Sequence, residues 1–169
     1  MHPGKTEREV AEFMTNEVRQ MGLTVAWNAQ NCPAVFSGPE SVGGHYKPTE
    51  RIIEPGHLIY IDFGVRYKGY CSDLQRTFYV LRPHEDTPPP EVRQAFDDLM
   101  NAIEQAKQSI HPGMQGIEVD TVARDSLTLR GYDEFHCALG HQVGRFAHDG
   151  TALLGPAWEK YGKKPFERL

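Results

Sequence analysis

The chain has 169 residues, 39% hydrophobic, 10% aromatic and 24% charged, proportions ordinary for a folded globular chain and unlike those of a disordered or low-complexity one. With 18 Lys plus Arg against 23 Asp plus Glu the formal charge is −5, and without any basic run of five or more residues there is no footprint of a nucleic-acid or membrane-surface binder. The longest apolar stretch, around residues 58–65, is interrupted by Asp62 and too short to span a bilayer, and the charged N-terminus lacks the apolar region of a secretory signal, so a cytoplasmic protein is expected.

In chain order, Thr6 and Glu9 form a T-x-x-E capping box, and Val10, Phe13, Met14, Val18 and Met21 recur at helical spacing until Gly22. Residues 23–27 read as a strand, and residues 28–48, rich in Gly, Pro, Ser and Asn, as a loop with one short strand at 34–36. His45 and Tyr46 lie in that loop. Two β-rich runs, 57–65 and 70–81, read as a hairpin. Pro88-Pro89-Pro90 starts a long helix with Val92, Phe96, Leu99, Ile103, Ala106 and Ile110 on one face, and a third helix at 117–130 ends at Gly131. Cys32, Cys71 and Cys137, odd in number and without a CxxC pair, are expected to be buried apolar residues in a reducing compartment. Trp27 and Tyr60 are assigned to the core.

One internal echo stands out. His2-Pro3-Gly4, Glu9-Val10 and Gly22 recur as His111-Pro112-Gly113, Glu118-Val119 and Gly131, all displaced by 109 residues. The alternative to a duplication is a good helix-start sequence used twice. A duplication divides the chain into a first repeat of about 2–110 and a second of about 111–169 that stops before its own hairpin.

Asp62 sits in a run apolar on both faces, where an ionised carboxylate is costly to bury. Asp73 lies across the hairpin. With Tyr67-Lys68 as the turn the two are directly opposed; with Lys68-Gly69 as the turn they are diagonal and Asp62 faces Gln75. Either way both side chains share one face. Two such carboxylates can share a proton, pair with Arg76, or bind cations, and Arg76 has the parity of the opposite face. His141 and His148, within LGHQVGRFAHDG, add imidazoles, which with carboxylates suit Mn, Fe, Co or Zn better than Mg or Ca.

These residues resemble a known family. Asp62 and Asp73 within IDFGVRYKGYCSDLQRTF, followed by GHQVGRFAHDG, are similar to the pita-bread metallopeptidases, which include methionine aminopeptidase, prolidase and aminopeptidase P, and the likeness extends from GKTEREVAEF to PFERL. The resemblance implies an α+β pita-bread fold, itself an internal duplication, forming one catalytic-type domain over 1–169 that is truncated in its second repeat. It implies two divalent metal ions, Mn first with Co, Zn or Fe as alternatives, held by Asp62, Asp73 and His141. His148 would bind the substrate carbonyl, and His45, seventeen residues before Asp62, matches the active-site histidine of the Xaa-Pro branch. The implied reaction is hydrolysis of the N-terminal residue from peptides or dipeptides at Xaa-Pro bonds, by a hydroxide bridging the two metals.

The chain also departs from the family pattern. The two glutamate ligands of the family's second half have no counterpart before Leu169, Glu134 and Glu159 being read as solvated surface charges. Gln75 stands where the family tends to have Thr. Where the Xaa-Pro branch has a further histidine, four before His141, this chain has Cys137, with His136 one residue further back; His136 and Tyr46 are therefore pocket candidates only. The rival readings are a non-catalytic pita-bread protein binding peptides or a protein partner, and a metal-free creatinase-like hydrolase, against which the buried Asp pair speaks. A fragment would expose a sheet edge and apolar helix faces and self-associate, which leaves a homo-oligomer open.

Overall fold

Helix α1 (Glu7–Gln20) begins where the capping box puts it. Thr6 Oγ1 accepts from the Glu9 N–H at 3.1 Å, and the Glu9 carboxylate accepts from the Thr6 N–H at 2.8 Å. The computed structural model describes residues 3–39 and 47–169, so His45 and Tyr46 lie outside the described residues. The chain divides into two units, Met1–Pro88 with Val143–Ala147, and Pro89–Gln142 with His148–Leu169.

In the first unit, α1 packs on an antiparallel sheet of strand order β2 (Ala34–Ser37), β3 (Leu58–Phe63), β6 (Leu74–Tyr79). Alternation sends Val35, Ile59 and Ile61 to the helix side, where they form a core with Val10, Ala11 and Ile53. Glu7 is buried in the same region, yet its carboxylate accepts four hydrogen bonds, from the N–H and hydroxyl of Ser37 and of Thr49, at 2.6 to 3.0 Å. Phe13 and Met21, expected on the inner stripe of α1, are 65% and 70% exposed. Val10 and Val18 of that stripe are buried, joined by Ala11, and Met14 packs against the same core.

Both long arms of the expected hairpin are broken. A second small sheet, β1 (Thr24–Val25), β4 (Val65–Tyr67), β5 (Tyr70–Cys71), takes the tip of the hairpin, while β3 and β6 keep its base. The break on the first arm falls at Gly64, where any Cβ would collide with the Ser72 carbonyl and the Trp27 ring. The Ser72 N–H donates to the Val65 carbonyl at 2.8 Å, and the Val65 N–H to Ser72 Oγ at 3.0 Å. The turn is Lys68-Gly69, with φ of +48° and +84°, the left-handed pair of a type I′ hairpin. Tyr60, assigned to the core, is 40% exposed on the face away from α1. Of the three cysteines only Cys32 is buried; Cys71 is half-buried and Cys137 exposed, because the hairpin tip and the 134–139 segment are loop-like rather than core.

In the second unit α2 (Pro90–Ser109) packs on α3 (Gly116–Thr128) through Ala102, Ala106, Val119 and Ala123. The expected inner face of α2 is only partly correct: Ala106 is buried, but Phe96, Leu99, Ile103 and Ile110 are 39% to 46% exposed. Small side chains at Ala102 and Ala106 let the helices approach closely, which the longer residues beside them would prevent. Strands β7 (Gly140–His141) and β8 (Leu153–Leu154) pair antiparallel, followed by 3-10 turns at Glu159–Tyr161 and Lys164–Phe166.

The sequence echo is reproduced in hydrogen bonds. Gly4 donates to the Ile53 carbonyl and Gly113 to that of Leu169; Ile53 donates to Lys5 and Leu169 to Met114; Glu7 donates to Arg51 and Gly116 to Glu167. At the far end of each helix Leu23 donates to Val18 and Tyr132 to Leu127, after Gly22 and Gly131 at φ of +68° and +90°. A reused helix-start sequence would not bring with it the bonds at the opposite helix end and to a distant segment. The fold is an internal duplication.

Candidate metal centre

Asp62 lies on β3 opposite Gln75 of β6 and Ala34 of β2. Asp73 lies one residue before β6, in the break between Cys71 and Leu74; the Asp62–Gln75 pairing is the second of the two registers the turn allows. Arg76 is paired with Ile61 on the other face and donates to the Gln75 carbonyl at 2.7 Å. Oδ1 of Asp62 is buried. Burial pushes the nearby Cys32 thiol up from its ordinary value, and the Asp62 charge acts in the same direction.

His141 is carried by β7, opposite Leu153. Its Nδ1 is 3.1 Å from the Gln142 carbonyl. A carbonyl only accepts, so in this contact Nδ1 is the donor, which is compatible with ligation through Nε2. The Asp149 N–H donates to the Gln142 carbonyl at 3.0 Å, and Gly150, at φ of +79°, lies against the Gln142 side chain. This closure brings the rings of His141 and His148 edge to face, 4.2 Å apart between centroids at 74°.

His136 and Glu134 have partners of their own. His136 is exposed, and its carbonyl accepts from Lys160 Nζ at 3.2 Å. Glu134, expected to be a solvated charge, accepts from Arg124 Nη1 at 3.2 Å while remaining half exposed. Arg124 and its partner Asp120, buried on α3, carry no motif and went unnoticed in the sequence. Their only trace there is a charged i, i+4 pair interleaved with the apolar Val119 and Ala123.

The model of metallopeptidase family M24 matches residues 1–167. The chain belongs to metallopeptidase family M24. Relatives of this M24 chain include an uncharacterised peptidase of Bacillus subtilis, 33% identical over 154 residues, covering 90% of this chain and 41% of the relative. An Xaa-Pro dipeptidase of Pyrococcus horikoshii is 32% identical over 151 residues, covering 86% and 40%. Among solved structures, the prolidase from Pyrococcus furiosus superposes with a TM-score of 0.80 at 30% identity, covering 93% of this chain and 44% of that chain. The fold is thus the pita-bread fold, mixed α and β. The M24 chain spans about two fifths of the length of the curated relatives it matches. Family membership implies divalent metal ions, and carboxylate and imidazole side chains such as those of Asp62, Asp73 and His141 are donor types that suit them. Among the described residues no helix is long and apolar enough to cross a membrane.

Proposed function

We propose that this M24 chain contributes the metal-binding carboxylates and histidines of a peptidase that releases the N-terminal residue of peptides or splits dipeptides at Xaa-Pro bonds. The observation that supports this reading is the hairpin register, which pairs Asp62 with Gln75, two residues after Asp73, and Arg76 with Ile61 on the other face. In this reading Asp62, Asp73 and His141 are ligands to two divalent ions, Mn first and Co, Zn or Fe after it. Such ions lower the pKa of water and polarise a peptide carbonyl.

The chain's own residues do the rest. The two carboxylates would hold the cations, and the contact between His141 Nδ1 and the Gln142 carbonyl would fix the ring. His148, held edge-on to His141, offers a ring N–H where oxyanion charge develops on the peptide carbonyl, and His45 offers a second. Tyr46 and His136 are assigned to the substrate pocket. The two helix-led halves are read as the repeats of one catalytic-type domain. The Xaa-Pro preference is supported by the names of the relatives and by the spacing of His45 before Asp62.

A calorimetric titration with Mn(II), followed by hydrolysis of an Xaa-Pro dipeptide on the same sample, tests the reading. The expected result is binding that falls by at least about tenfold in Asp62→Asn. Equal binding by the variant overturns the ligand assignment, and binding without turnover favours a non-catalytic peptide-binding protein.

A further inference from the structure

Residues 133–138 form no regular secondary structure, so their backbone groups need partners from elsewhere. Side chains supply them. Arg124 Nη1 donates to the Phe135 carbonyl at 2.7 Å, Lys160 Nζ to that of His136 at 3.2 Å, and Arg124 Nη2 to that of Cys137 at 3.0 Å. Three successive carbonyls are thus held by two cations. The Leu139 N–H then donates to Asp120 Oδ1 at 3.0 Å. Leu139 is two residues from His141, and β7 is too short, with a two-residue ladder, to set that histidine's position unaided.

Arg124 is itself fixed on all sides. It pairs with Asp120 through Nε to Oδ2 at 2.7 Å and Nη2 to Oδ1 at 3.0 Å, and its guanidinium lies 3.9 Å over the Phe135 ring and 5.2 Å from that of Trp158. Lys160 rests 4.5 Å over the same Trp158. A buried ion pair contributes little net stability once desolvation is counted, so the pair's value lies in the geometry it imposes. That geometry uses the planar fork of arginine: Nε and Nη2 face the aspartate while Nη1 and Nη2 reach two carbonyls. A lysine at 124 has one point of donation and no plane to stack.

We propose that Arg124, set by Asp120 and assisted by Lys160, is a positioning residue that fixes the 134–139 segment and through it the His141–His148 pair. Its consequence for metal binding rests on the reading of His141 as a ligand; its consequence for the two rings does not.

The test compares Arg124→Lys with Arg124→Met and the native chain. It reads the nuclear Overhauser contact between the His141 and His148 rings in metal-free protein, amide exchange at Leu139 and His141, and Mn(II) affinity. With α2 and α3 amides still protected, both variants are expected to lose the ring contact, to exchange about tenfold faster at Leu139 and His141, and to bind Mn(II) at least about tenfold more weakly. Failure of lysine to rescue marks the fork rather than the charge. A lower unfolding midpoint with ring contact and exchange unchanged overturns the proposal. Should both variants unfold, Lys160→Met removes only the outer donor and is expected to speed exchange across 136–139; unchanged exchange there overturns the proposal. If the native chain binds no Mn(II), the ligand assignment fails, and the ring contact and exchange still decide the positioning role.

Discussion

Glu7 and Asp120 show two ways for this chain to bury a carboxylate: four hydroxyl and amide donors for the first, an arginine fork and one amide for the second. Glu7→Ala would leave the buried Ser37 amide and hydroxyl without their acceptor and release the Thr49 segment. A loss of about 3 kcal/mol in unfolding free energy is expected, measured by urea denaturation. Asp98 is held differently. The Tyr132 hydroxyl donates to its Oδ2 at 2.9 Å and Arg130 Nε lies 3.2 Å from its Oδ1. The Tyr132 hydrogen bond holds the Asp98 carboxyl below the usual range, and the same bond holds the Tyr132 phenol above its own. The carboxylate's contribution is therefore present above the ordinary aspartate range and is lost as pH falls through the lowered value. The phenol's contribution is present below the ordinary tyrosine value and is lost as pH rises through the raised one. Tyr132→Phe should flatten the unfolding midpoint at both the acid and the alkaline end, and a profile unchanged in shape would contradict the assignment.

Among the elements, the hairpin turn and the helix caps have the largest consequences. Lys68 and Gly69 both have positive φ, and the register they set places Asp62 opposite Gln75. Gly69→Val puts a β-branched residue in that conformation and is expected to cost about 1–2 kcal/mol. Lys68→Asn, giving the Asn-Gly pair favoured in type I′ turns, should stabilise the hairpin, and paired thermal melts would read both changes. For α1, Thr6→Ala removes the Oγ1 acceptor of the Glu9 N–H and is expected to cost about 1 kcal/mol. The α2–α3 contact has another character. It depends on small residues meeting, so the helix's most hydrophobic stripe is not the one turned inward.

At the scale of the whole molecule, the duplication gives equivalent positions unequal surroundings. Ile53 and Leu169 make the same pair of backbone bonds, to Gly4 and Lys5 and to Gly113 and Met114, but Ile53 is 1% exposed within its core and Leu169 only half-buried at the margin of its own. Ile53→Ala is expected to cost about 3 kcal/mol, and Leu169→Ala less than half as much, in denaturant titrations. At the place of Glu7 the second repeat has Gly116, whose missing Cβ lets the Leu153 carbonyl of β8 come close. One helix start thus buries a carboxylate and the other admits a strand.

What the sequence by itself determined was whatever depends on neighbours a few residues apart, namely the Thr6–Glu9 capping box and the glycine stops after α1 and α3, and with them the echo that proved to be a duplication. Those features follow from helix and strand periodicity, which residue order specifies directly. The choice between the two hairpin registers, the break at Gly64, the inward stripe of α2, the approach of His148 to His141 and the Asp120–Arg124 grip on residues 135–139 were decided by the tertiary structure alone. Each depends on which distant group arrives to fill a volume or accept a proton, and no local period encodes that arrival.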